Sequence, residues 1–160
     1  MSGQNENVNN SIKNIPDEEH LITFQDIVKD KEIKTYLEMG DKYLGTLGYT
    51  NHSLLHAQRV AKIAHMILIS LNYDRRTAEL ARIAGYIHDI GNVINRADHA
   101  QSSAMMAFNI LTRMGMSPLE TAKVIGAIGN HDEGTGIPVN SLASALIIAC
   151  LLYTSDAADE

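Results

Sequence analysis

The chain has 160 residues, with 13 Lys and Arg against 19 Asp and Glu, 45% hydrophobic residues, 5% aromatic residues, one cysteine and no tryptophan. That composition fits one compact domain and excludes both two independent cores and a chain disordered over most of its length. The net charge of −6 argues against a nucleic-acid polymer as partner, because such binding rests on neutralising phosphates with basic side chains. A lone cysteine cannot close an internal disulfide, and with no C-x-x-C pair the natural setting is a reduced one, the cytoplasm. The N-terminus has no apolar stretch of the leader type, and no segment approaches the roughly 18 apolar residues of a membrane helix.

Residues 1–20 are polar and Asn-rich and read as a flexible tail, with no apolar periodicity before Leu21. From there the pattern is helical almost throughout, and the predicted class is all-α. A short helix is expected over 25–29, with Thr23 as a possible N-cap, and a longer one over 31–44. Gly45, Gly48, Tyr49 and Thr50 break the pattern. The next helix, over 53–71, carries His56, Val60, Ile63, Ile67 and Leu71 as an inner stripe at three- and four-residue spacing.

Asp74 is placed to cap a helix over 75–88, with Ala81, Ala84, Ile87 and His88 facing inward and Gly91 ending it. Asp98 is placed to open another over 98–114. Ser117 and Pro118 supply a capping residue followed by proline at the first helical position of a helix ending near Gly129. Residues 130–140 form a loop with Gly134, Gly136 and Pro138, and a last helix starts near Ser141. Met105, Met106, Met114 and Met116 are most simply core filler.

The chemistry lies in the histidines. Of the seven in the chain, His20, His52 and His65 look ordinary, whereas His56, His88, His99 and His131 lie on inner faces or at the ends of successive predicted helices. One histidine on an apolar stripe is usually a core residue with a satisfied hydrogen bond. Four in one small core need partners for eight ring nitrogens, and a shared metal is the economical provision. Asp89 adjoins His88 and adds a carboxylate able to bridge two ions. Imidazoles with carboxylate suit a divalent transition metal, as one or two ions of manganese, iron, cobalt, nickel or zinc. Such a site activates a water for in-line displacement at phosphorus.

His56 in HSLLHAQRVAKIA, the doublet in GYIHDIGN, His99 in DHAQSSAMMA and His131 in GNHDEGTGIP resemble, in order, the successive motifs of the HD-domain metal-dependent phosphohydrolases, over residues 51–149. The resemblance implies an HD-domain helical fold of orthogonally packed helices around a metal site. It implies that His56, His88 and Asp89 hold one ion, that Asp89 bridges, and that His99 and His131 hold a second. The implied activity is hydrolysis of a nucleotide or related small phosphoester, with Asp89 as a catalytic residue; position alone adds Arg59 as a second catalytic candidate. Arg59 lies three positions after His56, close to the same helix face, where it could meet a substrate phosphate.

GTGIP is similar to the G-x-G-Y-P segment of the HD-GYP subgroup, which cleaves cyclic dinucleotides. This chain departs from that pattern in having His131-Asp132 where the subgroup has paired histidines, Ile137 for tyrosine, and a tighter motif spacing. A non-catalytic ligand-sensing HD domain is the further alternative. Many HD proteins have a lysine shortly after the doublet; here Asn92 stands in its place, and Arg96 or Lys62 is left to supply positive charge.

The family's last helix reads approximately ALIIAD, with that Asp as final ligand; here Ala149 is followed by Cys150. From Cys150 onward CLLYTSDAADE resembles the translated end of a transposon adapter used in sequencing-library preparation. The expected organisation is therefore a tail over 1–20, an HD domain over 21–149 truncated at its C-terminus, and an artefactual tail over 150–160 with no helical apolar pattern. Cys150 is expected to point towards His56, His88 and Asp89. The expected partners are a small phosphorylated substrate, with no nucleic-acid polymer and no membrane; oligomeric state is not set by the sequence.

Overall fold

The computed structural model describes residues 20–49, 54–132 and 134–158, the last with side chains through Tyr153. The described residues form seven α-helices and one 3-10 turn, with no strand among them. In chain order the helices are α1 (Phe24–Lys29), α2 (Lys31–Thr46), α3 (Leu54–Ser70), α4 (Arg75–Ile87), α5 (His99–Met114), α6 (Pro118–Gly129) and α7 (Ser141–Ala158); the 3-10 turn, Ile90–Val93, links α4 to α5.

The helix starts follow the capping chemistry. Thr23 and Asp26 form a reciprocal capping box at α1, Asp30 and Asp74 accept the N3 amides of α2 and α4, and Ser117 precedes Pro118 at α6. Asn140 Oδ1 accepts the Ala143 amide at the start of α7. Asp98 differs from expectation. It occupies the N-cap position of α5 but has left-handed backbone, φ 55°, and makes no side-chain cap bond. The chain turns sharply there so that α5 begins directly on His99.

Helix α4 is the centre of the molecule, buried from Leu80 to Ile87 except for Arg82, and it packs against α3, α6 and α7. The α3–α4 contact is close because both faces are small. A side chain added at Gly85 would lie 2.8 Å from the Ala61 Cα. This corrects the predicted stripe of α3. Its buried residues are His56, Ala57, Val60, Ala61, Ala64 and Leu68, whereas Ile63 and Ile67 are half-buried and Leu71 is exposed. The helix is apolar on two adjoining stripes, and the alanine stripe faces α4 because it permits the nearer approach.

Of the four methionines assigned to the core, Met116 is buried, Met106 and Met114 pack partly against it, and Met105 is exposed. The last helix is also longer than expected. It runs through Cys150 to Ala158, because Leu151, Leu152, Tyr153 and the residues that follow include no glycine or proline to stop it. Leu151 and Leu152 are nevertheless exposed, and Tyr153 lays its ring edge-on to His56, with centroids 4.5 Å apart.

Candidate metal centre

Helix α4 ends at Ile87, so His88 is its C-cap and Asp89, with φ −103° and ψ 8°, already lies outside the helix. That break lets two adjacent side chains, which would diverge by about 100° on a regular helix, turn towards one place. His56 comes from the first turn of α3, His99 is the first residue of α5, and His131 follows the C-cap of α6. All five side chains are buried.

The Asp89 carboxylate lies between two pairs of imidazoles. Its Oδ2 is 3.3 Å from Nε2 of His56 and 3.3 Å from Nε2 of His88. Its Oδ1 is 3.3 Å from Nε2 of His99 and 3.7 Å from Nε2 of His131. Within each pair the Nε2 atoms are close, 3.4 Å between His56 and His88 and 3.2 Å between His99 and His131. His99 and His131 therefore meet the other oxygen of the carboxylate from His56 and His88, with the His88 and His131 rings edge-on at 4.9 Å between centroids.

Three of the rings are oriented through the backbone in the same way. Nδ1 of His88 donates to the Gly85 carbonyl at 2.6 Å, Nδ1 of His131 to the Ile128 carbonyl at 2.6 Å, and Nδ1 of His99 to the Arg96 carbonyl at 3.1 Å. In each case the acceptor is the carbonyl three residues earlier. A carbonyl only accepts, so Nδ1 carries the proton and Nε2 is the ring nitrogen turned inward, where its lone pair is free to bind an ion. For His88, burial pushes the imidazolium pKa down, against the opposing pull of Asp89, and so favours the neutral form.

Bare acceptors gathered 3.2 to 3.7 Å apart repel one another unless a cation lies among them. The spacings are those of ligands on a common ion. Nitrogens about 2.1 Å from a metal stand about 3.0 Å apart in cis-octahedral and about 3.4 Å apart in tetrahedral geometry. His56, His88 and Asp89 form one such set and Asp89, His99 and His131 another, with the ligand atoms of each set within 4.8 Å of one another. The donor chemistry thus fits divalent metal, with Asp89 shared between the sets.

Around this centre Arg96 is half-buried, with Nη1 3.4 Å from Asp89 Oδ1 and 3.1 Å from Oδ1 of the buried Asn92. Arg59 is exposed on α3, its guanidinium 5.9 Å from the centre of the Tyr153 ring that covers His56. Lys62 is exposed further along α3. Cys150 is half-buried against the hydrophobic core and belongs to neither ligand set; Tyr153, three residues on and on the same side of α7, is the residue whose ring meets His56. His65 is half-buried on α3, its pKa held down by burial, and His20 is exposed beside Asp26. His52 and Glu133 lie outside the described residues.

The chain from α4 to α5 is held by a very close contact that no residue pattern in the sequence marks. Gly91 N donates to Ser103 Oγ at 2.8 Å, and a Cβ on Gly91 would lie 2.6 Å from Ser103 N and 2.7 Å from the His99 carbonyl. Gly136 tucks the 130–140 loop against itself in a similar way, with space for a Cβ closed by the Asp132 and Asn130 carbonyls at 2.7 and 2.8 Å.

Residues 54–155 match the HD domain family. The chain belongs to that family. This HD domain is 26% identical over 148 residues to an uncharacterised protein of Methanocaldococcus jannaschii, covering 78% of this chain and 55% of that protein. It is 34% identical over 114 residues to ribonuclease Y of Aquifex aeolicus, covering 71% of this chain and 18% of that one. A crystal structure of a predicted HD superfamily hydrolase from an uncultured Thermotogales bacterium superposes with a TM-score of 0.59 at 27% identity, over 76% of this chain and 66% of the other. The chain thus spans about half of the archaeal relative and under a fifth of ribonuclease Y.

Proposed function

We propose that this HD domain is a metal-dependent phosphohydrolase acting on a nucleotide or related small phosphoester. The observation that carries the reading is the Asp89 carboxylate set between two pairs of inward-facing Nε2 atoms. His56, His88 and Asp89 would hold one divalent ion and Asp89, His99 and His131 a second. Such ions, when bound, supply an activated water and Lewis-acid stabilisation of charge on a phosphoryl oxygen.

The protein's own part is orientation. The carbonyls of Gly85, Arg96 and Ile128 fix three ring planes, burial keeps His88 neutral, and Asp89 sets both halves in one register. Attack at phosphorus forms one P–O bond and breaks the ester P–O bond, releasing the alcohol. Arg59, exposed on α3 near the Tyr153 ring, would contact a substrate phosphate. Manganese, iron, cobalt, nickel and zinc all suit the donor set, and a cytoplasmic setting suits the single cysteine.

A second reading, cleavage of a phosphodiester within RNA, is favoured by the likeness to ribonuclease Y and opposed by the net charge of −6. The GTGIP loop supports cyclic dinucleotides as a further substrate class to include. The test is turnover by manganese-loaded protein on nucleoside monophosphates, cyclic dinucleotides and an RNA oligonucleotide. Preference for the mononucleotides supports the reading; turnover of RNA alone transfers the protein to the second; bound metal with no turnover on any class leaves a ligand-sensing domain.

A further inference from the structure

We infer that Arg96 is the residue of the metal centre that grips a phosphoryl group, through the guanidinium donors it does not use on the protein. The inference rests on the phosphohydrolase reading for its role in turnover, but its geometry is independent of that reading.

Arg96 lies in the short link between the 3-10 turn and α5, seven residues after Asp89 and three before His99. Its backbone carbonyl accepts the Nδ1 proton of His99, while its side chain reaches back to Asp89 and Asn92. One residue therefore meets the His99–His131 half of the centre by two separate atoms, its carbonyl and Nη1. The Nη1 nitrogen alone is used, 3.1 Å from Asn92 Oδ1 and 3.4 Å from Asp89 Oδ1. A guanidinium carries five N–H donors in a planar fork, and among the described residues Nε and Nη2 have no protein acceptor.

Those spare donors lie on a side chain that is 31% exposed, at the edge of a carboxylate that is 8% exposed. The arginine is thus anchored on the protein at one corner and open to solvent at the other. An anion arriving at the metal ligands would meet the open edge of the fork, and two parallel N–H bonds from such an edge suit two non-bridging phosphoryl oxygens. Asn92 has no charge and is buried, so it cannot itself supply the cation; its amide oxygen instead holds Nη1 in place. Lys62, the other candidate cation, is exposed on α3.

The test is binding of inorganic phosphate to manganese-loaded protein by titration calorimetry, with metal content measured on the same samples and the Michaelis parameters measured alongside. Arg96→Ala should weaken phosphate about ten- to a hundredfold, the effect of losing charge-assisted hydrogen bonds. It should keep the wild-type metal content, since alanine retains the carbonyl that orients His99. Arg96→Lys should recover part of the affinity, having the charge without the fork, and Lys62→Ala should bind as the wild type does.

Wild-type phosphate affinity in Arg96→Ala overturns the inference. Loss of metal in that variant also overturns it, by showing that the arginine serves Asp89 alone, and so does a wild type that binds no phosphate. A wild type that binds phosphate through Arg96 yet hydrolyses no ester would refute the hydrolase reading and leave the role of Arg96 standing.

Discussion

Asp89 is the residue common to both halves of the site, because its two oxygens face different histidine pairs. Asp89→Ala should abolish the shared ligand and lower phosphoester turnover by on the order of a thousandfold or more, as several kcal/mol of metal stabilisation is lost. Circular dichroism should show the helices intact, and unchanged turnover would remove Asp89 from the mechanism. His88 gives a second prediction, in chelator-treated protein. Burial lowers its pKa in the fold, so in acid the unfolded chain binds a proton that the folded one refuses. Its contribution to stability is therefore full above the ordinary histidine value of about 6.5 and is lost as pH falls below it towards the depressed folded value. Melting temperature should fall between pH 7 and 5, and His88→Gln should flatten that slope; an equal slope in the variant would contradict the assignment. That these histidines converge was legible from four of them recurring on inner faces. The carbonyls that aim them were not, since backbone groups leave no mark in the residue pattern.

At the scale of elements, the site depends on how closely three segments approach. Gly91 brings the 3-10 turn against the first turn of α5, and thereby His99 against Asp89. Gly91→Ala should push α5 away, since its Cβ would overlap Ser103 N and the His99 carbonyl. The expected cost is about 1 to 3 kcal/mol of stability, from overpacking, together with loss of metal from the half of the site that His99 and His131 form. Urea unfolding and metal analysis would show both, and a variant with wild-type stability and metal content would refute the role given to this contact. Most helix boundaries were readable because Thr23, Asp30, Asp74 and Ser117 are strong caps. Asp98 looked equivalent and was not: its backbone is left-handed and its side chain makes no cap bond. The stripe of α3 was misread because two apolar faces compete, and only the partner helix chooses between them.

For the whole molecule, a metal held by these buried side chains would stabilise the fold as well as serve the reaction. Ion binding should stabilise the folded chain by about 2.7 kcal/mol at a free concentration a hundred times the dissociation constant, and the melting temperature of chelator-treated protein should rise accordingly on adding manganese. No such rise would mean that the five buried ligands do not act together. The helical class and the five clustered residues were visible in the sequence. The course of α7 past Ala149 was not, because an apolar segment without amphipathic pattern gives no face to read, and the ring of Tyr153 against His56 appears only in three dimensions. The most direct measurement is anomalous diffraction from crystals of manganese-loaded protein. Two peaks are expected about 3.5 to 4 Å apart at the Asp89 carboxylate, one beside His56 and His88 and the other beside His99 and His131. Peaks elsewhere, or none between these side chains, would contradict that arrangement.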